Sequence, residues 1–280
     1  MKLTKIYHSQ ILKAACLLLM VTTAVLFTSC KKDADPTTSK PVKTFVLVHG
    51  AFQGAYSWKQ VKEDLEKQGQ RVLTVELPGH GDDKTDPATI TMDSYKNKVV
   101  STIQGLTGKV ILVGHSMGGM VISATAEAIP EKIERLIYVG AFVPANGQSL
   151  QELSLGDPDS KLKLILQPTA QGTIEINDLS KLTEVFCADA STALKTELLS
   201  KYRPDPIAPF AENVMLSIGK FGSVNKSYIR TINDLAIGLA AQNKMLTAAA
   251  IKDVYDLQSS HCPHLSKPVE LSNLLVKISN

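Results

Sequence analysis

Residues 110–127 read VILVGHSMGGMVISATAE. The first four of these residues are apolar and mostly β-branched, as in a buried strand, and the last eight are typical of a helix. Between them lies a Gly-x-Ser-x-Gly motif formed by Gly114, Ser116 and Gly118. A strand, a tight turn and a helix in this order lift the serine hydroxyl clear of the sheet edge. We therefore predict that Ser116 is a catalytic nucleophile and not an incidental serine in a glycine-rich turn.

Strand-like and helix-like segments alternate through most of the chain. Apolar runs rich in β-branched residues predict strands over 43–48, 71–75, 109–113, 135–139, 227–232 and 251–257. Helical patterns lie between or after these runs, over 58–68, 92–106, 120–128, 239–249 and 268–278. Such alternation is typical of a parallel sheet that is covered by helices on both faces. We predict an α/β fold around a sheet of about six strands, mostly parallel.

The alternation stops over residues 146–225. This stretch contains short helical patterns at 180–186 and 191–201, several prolines, and no recognisable strand. It is too long for a plain loop between two strands. Because open α/β sheets bind ligands at the carboxyl ends of their strands, we predict a helical cap inserted there, over a core formed by 43–145 and 226–280. The alternative is that the insertion simply covers one face of the sheet.

The N-terminal segment, residues 1–30, does not read as part of the fold. Lysines precede an apolar run over 14–27, and small residues lead to Cys30. This is the pattern of a secretory signal peptide, and the run is short for a membrane-spanning helix. Cys30 resembles a bacterial lipoprotein processing site, although Phe27 stands where leucine is usual. We predict export, a lipid anchor on Cys30 in a bacterial envelope and a flexible tether over 31–42; ordinary signal cleavage is the alternative.

Composition limits the partners and the chemistry. The chain has 30 Lys and Arg against 27 Asp and Glu, and residues 1–29 hold three lysines and no acidic residue, so the processed chain is neutral. No basic block remains, which argues against nucleic acid as a partner. No Cys-x-x-Cys spacing suggests a metal site, and we expect no metal and no organic cofactor. Cys187 and Cys262 remain in the folded part, and the sequence leaves open whether they pair.

Ser116 needs a general base, because a serine hydroxyl is a weak nucleophile at neutral pH. On the predicted architecture the chain order is serine, then acid, then histidine, which leaves His261 and His264 as candidates. Both lie between the last predicted strand and the last predicted helix. We favour His261, since the residues from Pro263 onward read as the start of the next packed segment.

The acid that orients the histidine should follow the preceding strand. The run 227–232 leads directly to Asp234, which places this residue at the carboxyl edge of the sheet. There its carboxylate would hold the imidazole tautomer and stabilise the imidazolium. Asp205 in the predicted cap is a rival, whereas Asp253 and Asp256 lie too close to the histidine in sequence to fold back on it.

An oxyanion hole requires backbone N–H groups that are directed at one point. One donor is expected from Met117, the residue after the nucleophile. The other is expected from the loop after the first strand, which reads HGAFQG over residues 49–54. Gly50 lets this backbone turn inward, which makes Ala51 the candidate donor and Phe52 the alternative.

Four motifs together resemble the α/β-hydrolase superfamily: HGAF over 49–52, LPGHG over 77–81, GHSMGG over 114–119 and AFVP over 141–144. Within it the chain is similar to the branch of plant methylesterases, salicylate-binding esterases, plant hydroxynitrile lyases and related bacterial carboxylesterases. The similarity extends over about residues 43–278. Matched position by position, it implies the same site residues as above: Ser116, Asp234 and His261, with the donors Ala51 and Met117.

Two departures from this branch bear on activity. Its hydroxynitrile lyases carry a threonine after the first motif histidine and a lysine after the catalytic histidine, where this chain has Gly50 and Cys262. We therefore do not expect cyanide elimination. Cys262 also replaces a methionine that is common in the plant methylesterases, so their hormone-ester specificity is not expected here.

Apolar residues near the predicted centre indicate the substrate. We expect a pocket that includes Phe52, Phe142, Phe186, Phe210 and Cys262. Small to medium apolar carboxylic esters would fit it and would be cleaved through an acyl-enzyme. The alternatives are a thioesterase, lactonase, amidase or perhydrolase with the same triad, or a ligand-binding protein of this fold without catalysis. The sequence leaves the oligomeric state open.

Overall fold

The computed structural model describes residues 41–280 of the chain. The predicted signal segment, Cys30 and all but the last two residues of the predicted tether therefore lie outside the described residues. No helix in the described part combines the length and the apolar character that crossing a membrane requires.

Strands and helices alternate along the described residues. The strands are β1 (Thr44–Val48), β2 (Arg71–Val75), β3 (Val110–His115), β4 (Ile133–Val139), β5 (Leu166–Pro168), β6 (Thr173–Ile176), β7 (Asp205–Pro206), β8 (Asn225–Thr231) and β9 (Asp253–Leu257). The helices are α1 (Lys59–Lys67), α2 (Met92–Gln104), α3 (Gly118–Ala128), α4 (Leu150–Leu155), α5 (Leu179–Phe186), α6 (Thr192–Ser200), α7 (Ala208–Ala211), α8 (Leu239–Ala248), α9 (Pro263–Ser266) and α10 (Pro268–Ser279).

Six strands form one sheet in the order β2-β1-β3-β4-β8-β9. Every neighbouring pair in this sheet is parallel. The predicted strands are all present, with ends that shift by at most two residues, and the α/β fold is confirmed. Parallel strands bring their carboxyl ends to one edge, so the residues that follow β1, β3, β8 and β9 gather there.

Both faces of this sheet are buried. Within β1, Phe45 and Leu47 pack with α1 and α10 on one face, whereas Val46 and Val48 pack with α2 and α3 on the other. All four side chains have no exposed surface. Burial on both sides explains why the strands read as nearly continuous apolar runs and do not alternate with polar residues.

Side-chain caps define where several helices begin. Thr91 precedes α2 and accepts a hydrogen bond from the Ser94 N–H, in a capping box with the Ser94 hydroxyl. Ser149 and Glu152 form the same arrangement at α4. The sequence analysis did not predict α4, although Ser-x-x-Glu before an apolar residue is a recognised signal for a helix start.

Between β4 and β8 the chain forms helices α4 to α7 and a small antiparallel sheet of order β5-β6-β7. The prediction that this stretch contains no strand was wrong. β5, β6 and β7 have only three, four and two residues, too few for an alternating pattern to be seen. The turn between β5 and β6 ends at Gly172, whose φ of 72° is the left-handed conformation that favours glycine.

Candidate active site

Ser116 lies in a tight turn between β3 and α3, with a φ of 53°. A residue other than glycine in this left-handed region is strained, and the surrounding structure must hold it there. The turn is compact because glycines flank it. A Cβ atom on Gly114 would lie 2.6 Å from the Gly118 carbonyl oxygen, and one on Gly118 would lie 2.8 Å from that of His49. The strand, turn and helix around Ser116 are thus present as the sequence predicts.

Ser116, His261 and Asp234 are joined by hydrogen bonds. His261 Nε2 lies 2.9 Å from Ser116 Oγ, and its Nδ1 lies 2.7 Å from Asp234 Oδ2. Because a carboxylate only accepts, Nδ1 carries the proton and Nε2 is free to accept the serine proton. Ser116 is 5% exposed, so this chain of bonds is shielded from bulk water. The arrangement is that of a nucleophile activated by an oriented general base.

The Asp234 carboxylate is held by four hydrogen bonds. Its Oδ2 accepts from the Thr231 hydroxyl at 2.7 Å as well as from His261. Its Oδ1 accepts from the N–H groups of Ala236 and Ile237 at 2.7 and 2.8 Å. These bonds determine which oxygen faces the imidazole and compensate the carboxylate for its loss of water.

Two further residues hold His261, and the sequence analysis did not assign them this role. His115 Nε2 lies 2.8 Å from the His261 carbonyl oxygen, to which it donates. Burial, with His264 and His261 nearby, holds the pKa of His115 well below its usual value, so this ring is neutral. Phe186 packs edge-on against the His261 ring, with 5.2 Å between ring centroids. His115 adjoins Ser116 in the motif, but its partner His261 is 146 residues away and only the fold brings the two histidines together.

The rival candidates lie apart from this chain of bonds. His264 Nε2 lies 2.8 Å from Gln53 Oε1, and burial, with His261 and His49 nearby, lowers the pKa of His264 to about 3. It is therefore a neutral, buried histidine. Asp205 bonds His80, with 2.6 Å between Oδ1 and Nε2, and does not bond His261.

The loop after β1 approaches Ser116 closely. A Cβ atom on Gly50 would lie 2.7 Å from Ser116 Cβ, so this approach requires glycine. The Phe52 N–H donates to Asp205 Oδ2. The N–H groups of Ala51 and Met117 donate no hydrogen bond within residues 41–280. Of the two candidate donors on this loop, Ala51 and Phe52, only Ala51 therefore has an N–H free to bind an oxyanion. The Met117 N–H would be the second donor.

A cavity of about 290 Å³ opens at Ser116. Phe52 and Phe142 line it from loops at the sheet edge, and Phe186 and Phe210 line it from the 146–225 insertion. These are four of the five side chains expected around the pocket. The lining is mostly apolar, so the cavity is suited to an apolar substrate.

Cys262, the fifth residue expected in the pocket, does not line it. Its thiol is fully buried and lies 3.1 Å from Gln53 Nε2, because the side chain turns toward the loop after β1. Cys187 and Cys262 are both free thiols. Burial raises the pKa of the Cys187 thiol to about 11. Within the described part of the chain, no group of three or more His, Cys, Asp or Glu is arranged to hold a metal ion.

Comparison with known proteins identifies the family of the chain. A model described as the alpha/beta hydrolase family matches residues 45–274. Methylesterase 7 of Arabidopsis thaliana is 29% identical over 259 residues, which cover 85% of this chain and 96% of that protein. Five longer relatives from the same plant, provisionally assigned as chloroplastic methylesterases, are 32–34% identical, and the chain spans 56–76% of their length.

Two solved structures are similar over nearly their full length. An extracellular alpha/beta-hydrolase from a Paenibacillus species, which shares structural and functional homology with tobacco salicylic acid binding protein 2, has a TM-score of 0.75 and 28% identity. A pyrethroid hydrolase from Sphingobium faniae JZ-2 has a TM-score of 0.76 and 26% identity. Each comparison covers 85% of this chain and 98% of the other.

Proposed function

The chain belongs to the alpha/beta hydrolase family, and from this membership we propose that it is a carboxylic ester hydrolase that works through an acyl-enzyme on Ser116. The observation that carries the proposal is the hydrogen-bonded series Ser116, His261 and Asp234 beside two free N–H donors at the end of an apolar cavity. The names of the plant relatives support ester cleavage.

In the proposed mechanism, Ser116 Oγ attacks the ester carbonyl carbon while His261 Nε2 takes the proton from the serine hydroxyl. The carbonyl oxygen becomes negative and is bound by the Ala51 and Met117 N–H groups. Asp234 stabilises the imidazolium without taking its proton. His261 then protonates the leaving alcohol, which leaves the acyl group on Ser116. Water, activated by the same imidazole, releases the acid and restores the enzyme.

We propose that the substrates are small to medium apolar esters and that residues 146–225 act as a cap over the core. The support is that Phe186 and Phe210 come from this insertion and close the cavity beside Ser116. A cavity of about 290 Å³ suits a short acyl chain better than a long one. A series of p-nitrophenyl esters of increasing acyl length should show kcat/KM declining beyond short chains; a steady rise with length would contradict this.

The test of the function is to trap the intermediate. Mixing the purified protein with p-nitrophenyl acetate should release a burst of p-nitrophenolate equal to the enzyme concentration if deacylation is slower than acylation. Acid quenching and peptide mass spectrometry should then place the acetyl group on Ser116. A parallel panel of thioester, lactone, amide and peracid-forming reactions ranks the alternative activities. A protein that turns over none of these substrates would instead be a ligand-binding member of the family.

We also propose that residues 1–30 form a signal peptide and that Cys30 carries lipid, which would make the protein an exported lipoprotein. The support is the sequence pattern of basic, apolar and small residues that ends at Cys30. Mass spectrometry of the protein from membranes of the producing cell should find Cys30 as the N-terminal residue, bearing acyl chains. A chain that retains residues 1–29, or that begins elsewhere without lipid, would contradict this.

A further inference from the structure

A second pair of an aspartate and a histidine lies beside the candidate active site. Asp205 belongs to β7 in the 146–225 insertion and is fully buried, and His80 lies in the loop after β2 and is 2% exposed. His80 Nε2 is 2.6 Å from Asp205 Oδ1, and its Nδ1 is 3.0 Å from the Pro78 carbonyl oxygen. The mechanism proposed above uses neither side chain.

The geometry of His80 indicates that it is an imidazolium. Both of its ring nitrogens face acceptors that cannot donate, a carbonyl oxygen and a carboxylate oxygen, so both carry protons. Burial opposes the positive charge, but the Asp205 carboxylate, the Pro78 carbonyl oxygen and the Glu76 carboxylate together outweigh burial and raise the pKa of His80. His49 and Tyr95 pack against this ring at 4.7 and 5.6 Å between centroids.

The other oxygen of Asp205 reaches the loop that binds the oxyanion. Asp205 Oδ2 accepts from the Phe52 N–H. Phe52 has a φ of 61°, a left-handed conformation that is unusual for an aromatic residue and that its surroundings must hold. Phe52 directly follows Ala51, so the peptide that Asp205 holds is continuous with the one that presents the free Ala51 N–H.

Charge balance gives His80 a further role. A lone carboxylate next to an oxyanion hole would repel the negative charge that develops on the substrate. The imidazolium neutralises that carboxylate and leaves its hydrogen bond to Phe52 in place. Glu76 is a second carboxylate near His80: it accepts from the Ala55 N–H at 2.9 Å, lies 3.4 Å from His49 Nε2, and its charge also favours the imidazolium.

We propose that Asp205 and His80 are positioning residues of the oxyanion hole, through which the cap orients the Ala51 N–H. This inference rests on the proposed function. Because the Asp205 carboxylate that holds the loop of residues 49–54 comes from the cap, the oxyanion hole would be complete only when the cap is packed on the core. An enzyme whose cap is displaced would keep Ser116, His261 and Asp234 but lose one oxyanion donor.

The test is the substitution Asp205→Asn, which keeps the size of the side chain. An asparagine that keeps its oxygen on the Phe52 N–H directs its NH₂ group at His80 Nε2, which must then give up its proton and accept. The pair loses both charges, and the Phe52 N–H exchanges a charged acceptor for a weaker neutral one. For p-nitrophenyl acetate we expect kcat to fall by about 3- to 10-fold, the difference between a charge-assisted and a neutral hydrogen bond to the Phe52 N–H and much less than for complete loss of an oxyanion donor. KM should stay within about threefold of the parent, because binding of the uncharged ester does not use the hole.

A boronic acid provides a readout that general loss of structure would not reproduce. Phenylboronic acid forms a tetrahedral adduct with the serine and places a negative oxygen where the substrate oxyanion would lie. Its Ki should rise in Asp205→Asn by about the same factor as kcat falls. His80→Gln should also show a lower kcat and a higher boronate Ki. If Asp205→Asn does not fold, His80→Gln provides the test.

Glu212→Gln is the matched control. Glu212 also belongs to the insertion and accepts a hydrogen bond from a core backbone N–H, that of Met92, at 2.7 Å, but it forms no hydrogen bond with the loop of residues 49–54. This variant should keep the parent kcat and boronate Ki. If Asp205→Asn and His80→Gln behave like Glu212→Gln, the inference is wrong while the proposed function stands. If the parent itself shows no hydrolysis that depends on Ser116, the proposed function fails first.

Discussion

Replacing Ser116 with alanine should lower kcat/KM for p-nitrophenyl acetate by about 10⁵- to 10⁶-fold, because it removes the oxygen atom that forms the acyl-enzyme in the proposed mechanism. The alanine variant keeps the cavity and the free N–H groups of Ala51 and Met117, so a residual rate above the uncatalysed reaction should persist. Initial rates at matched protein concentrations, with trace parent enzyme excluded by mass spectrometry, measure the effect.

The control for this variant is Ser123→Ala. Ser123 is also a buried serine, seven positions further along on α3, and its hydroxyl bonds Tyr138 and the Gly119 carbonyl oxygen. Its loss should cost about 1 kcal/mol of the free energy of unfolding and leave kcat unchanged. If Ser116→Ala retained a tenth or more of the parent activity, another residue would be the nucleophile.

The substitution Asp234→Asn should reduce kcat by about 10⁴-fold with little change in KM. In the parent, Oδ1 is taken by the Ala236 and Ile237 N–H groups, and Oδ2 faces His261 Nδ1. An asparagine that keeps its oxygen on the two backbone N–H groups must direct its NH₂ group at the imidazole. The ring would then accept at Nδ1 and carry its proton on Nε2, where it cannot take the serine proton.

Kinetics and crystallography of the variant together test this tautomer argument. The expected result is an unchanged position of the imidazole with a large loss of kcat. Asp256→Asn serves as the control. Asp256 lies in β9, beside the strand that leads to Asp234, but it forms an exposed ion pair with Arg230 at 2.7 Å. Such a pair contributes about 0–1 kcal/mol and has no contact with His261. Equal activity in Asp234→Asn and Asp256→Asn would exclude Asp234 as the orienting acid.

Most of the core could be predicted because its signals are local. The strand before Ser116, the glycines around it and the helix after it occupy one continuous segment, so its conformation follows from neighbouring residues. The positions of His261 and Asp234 followed from the same logic, since loops after parallel strands must share one edge of the sheet. The short strands of the insertion could not be read, because two to four residues carry too little pattern.

The prediction that Cys262 lines the pocket was wrong. Its place beside His261 suggested a pocket residue, but successive side chains on an irregular loop can point in opposite directions. Its thiol faces Gln53, whereas the neighbouring imidazole faces Ser116.

Asp205 is the opposite case, a residue whose contact the sequence analysis did not find. The sequence analysis considered it only as a rival to Asp234, and its contact with Phe52 joins residues 153 positions apart.

The sequence by itself determined the α/β architecture, the order of the strands along the chain and the strand, turn and helix that surround Ser116, the candidate nucleophile, because periodicity and turn chemistry act between neighbours. Only the tertiary structure decided which nitrogen of His261 faces Ser116, which of the Ala51 and Phe52 N–H groups is free, and that the Asp205 carboxylate binds the other. Those properties depend on side-chain direction and on hydrogen bonds between distant segments, and both are settled only when the elements pack.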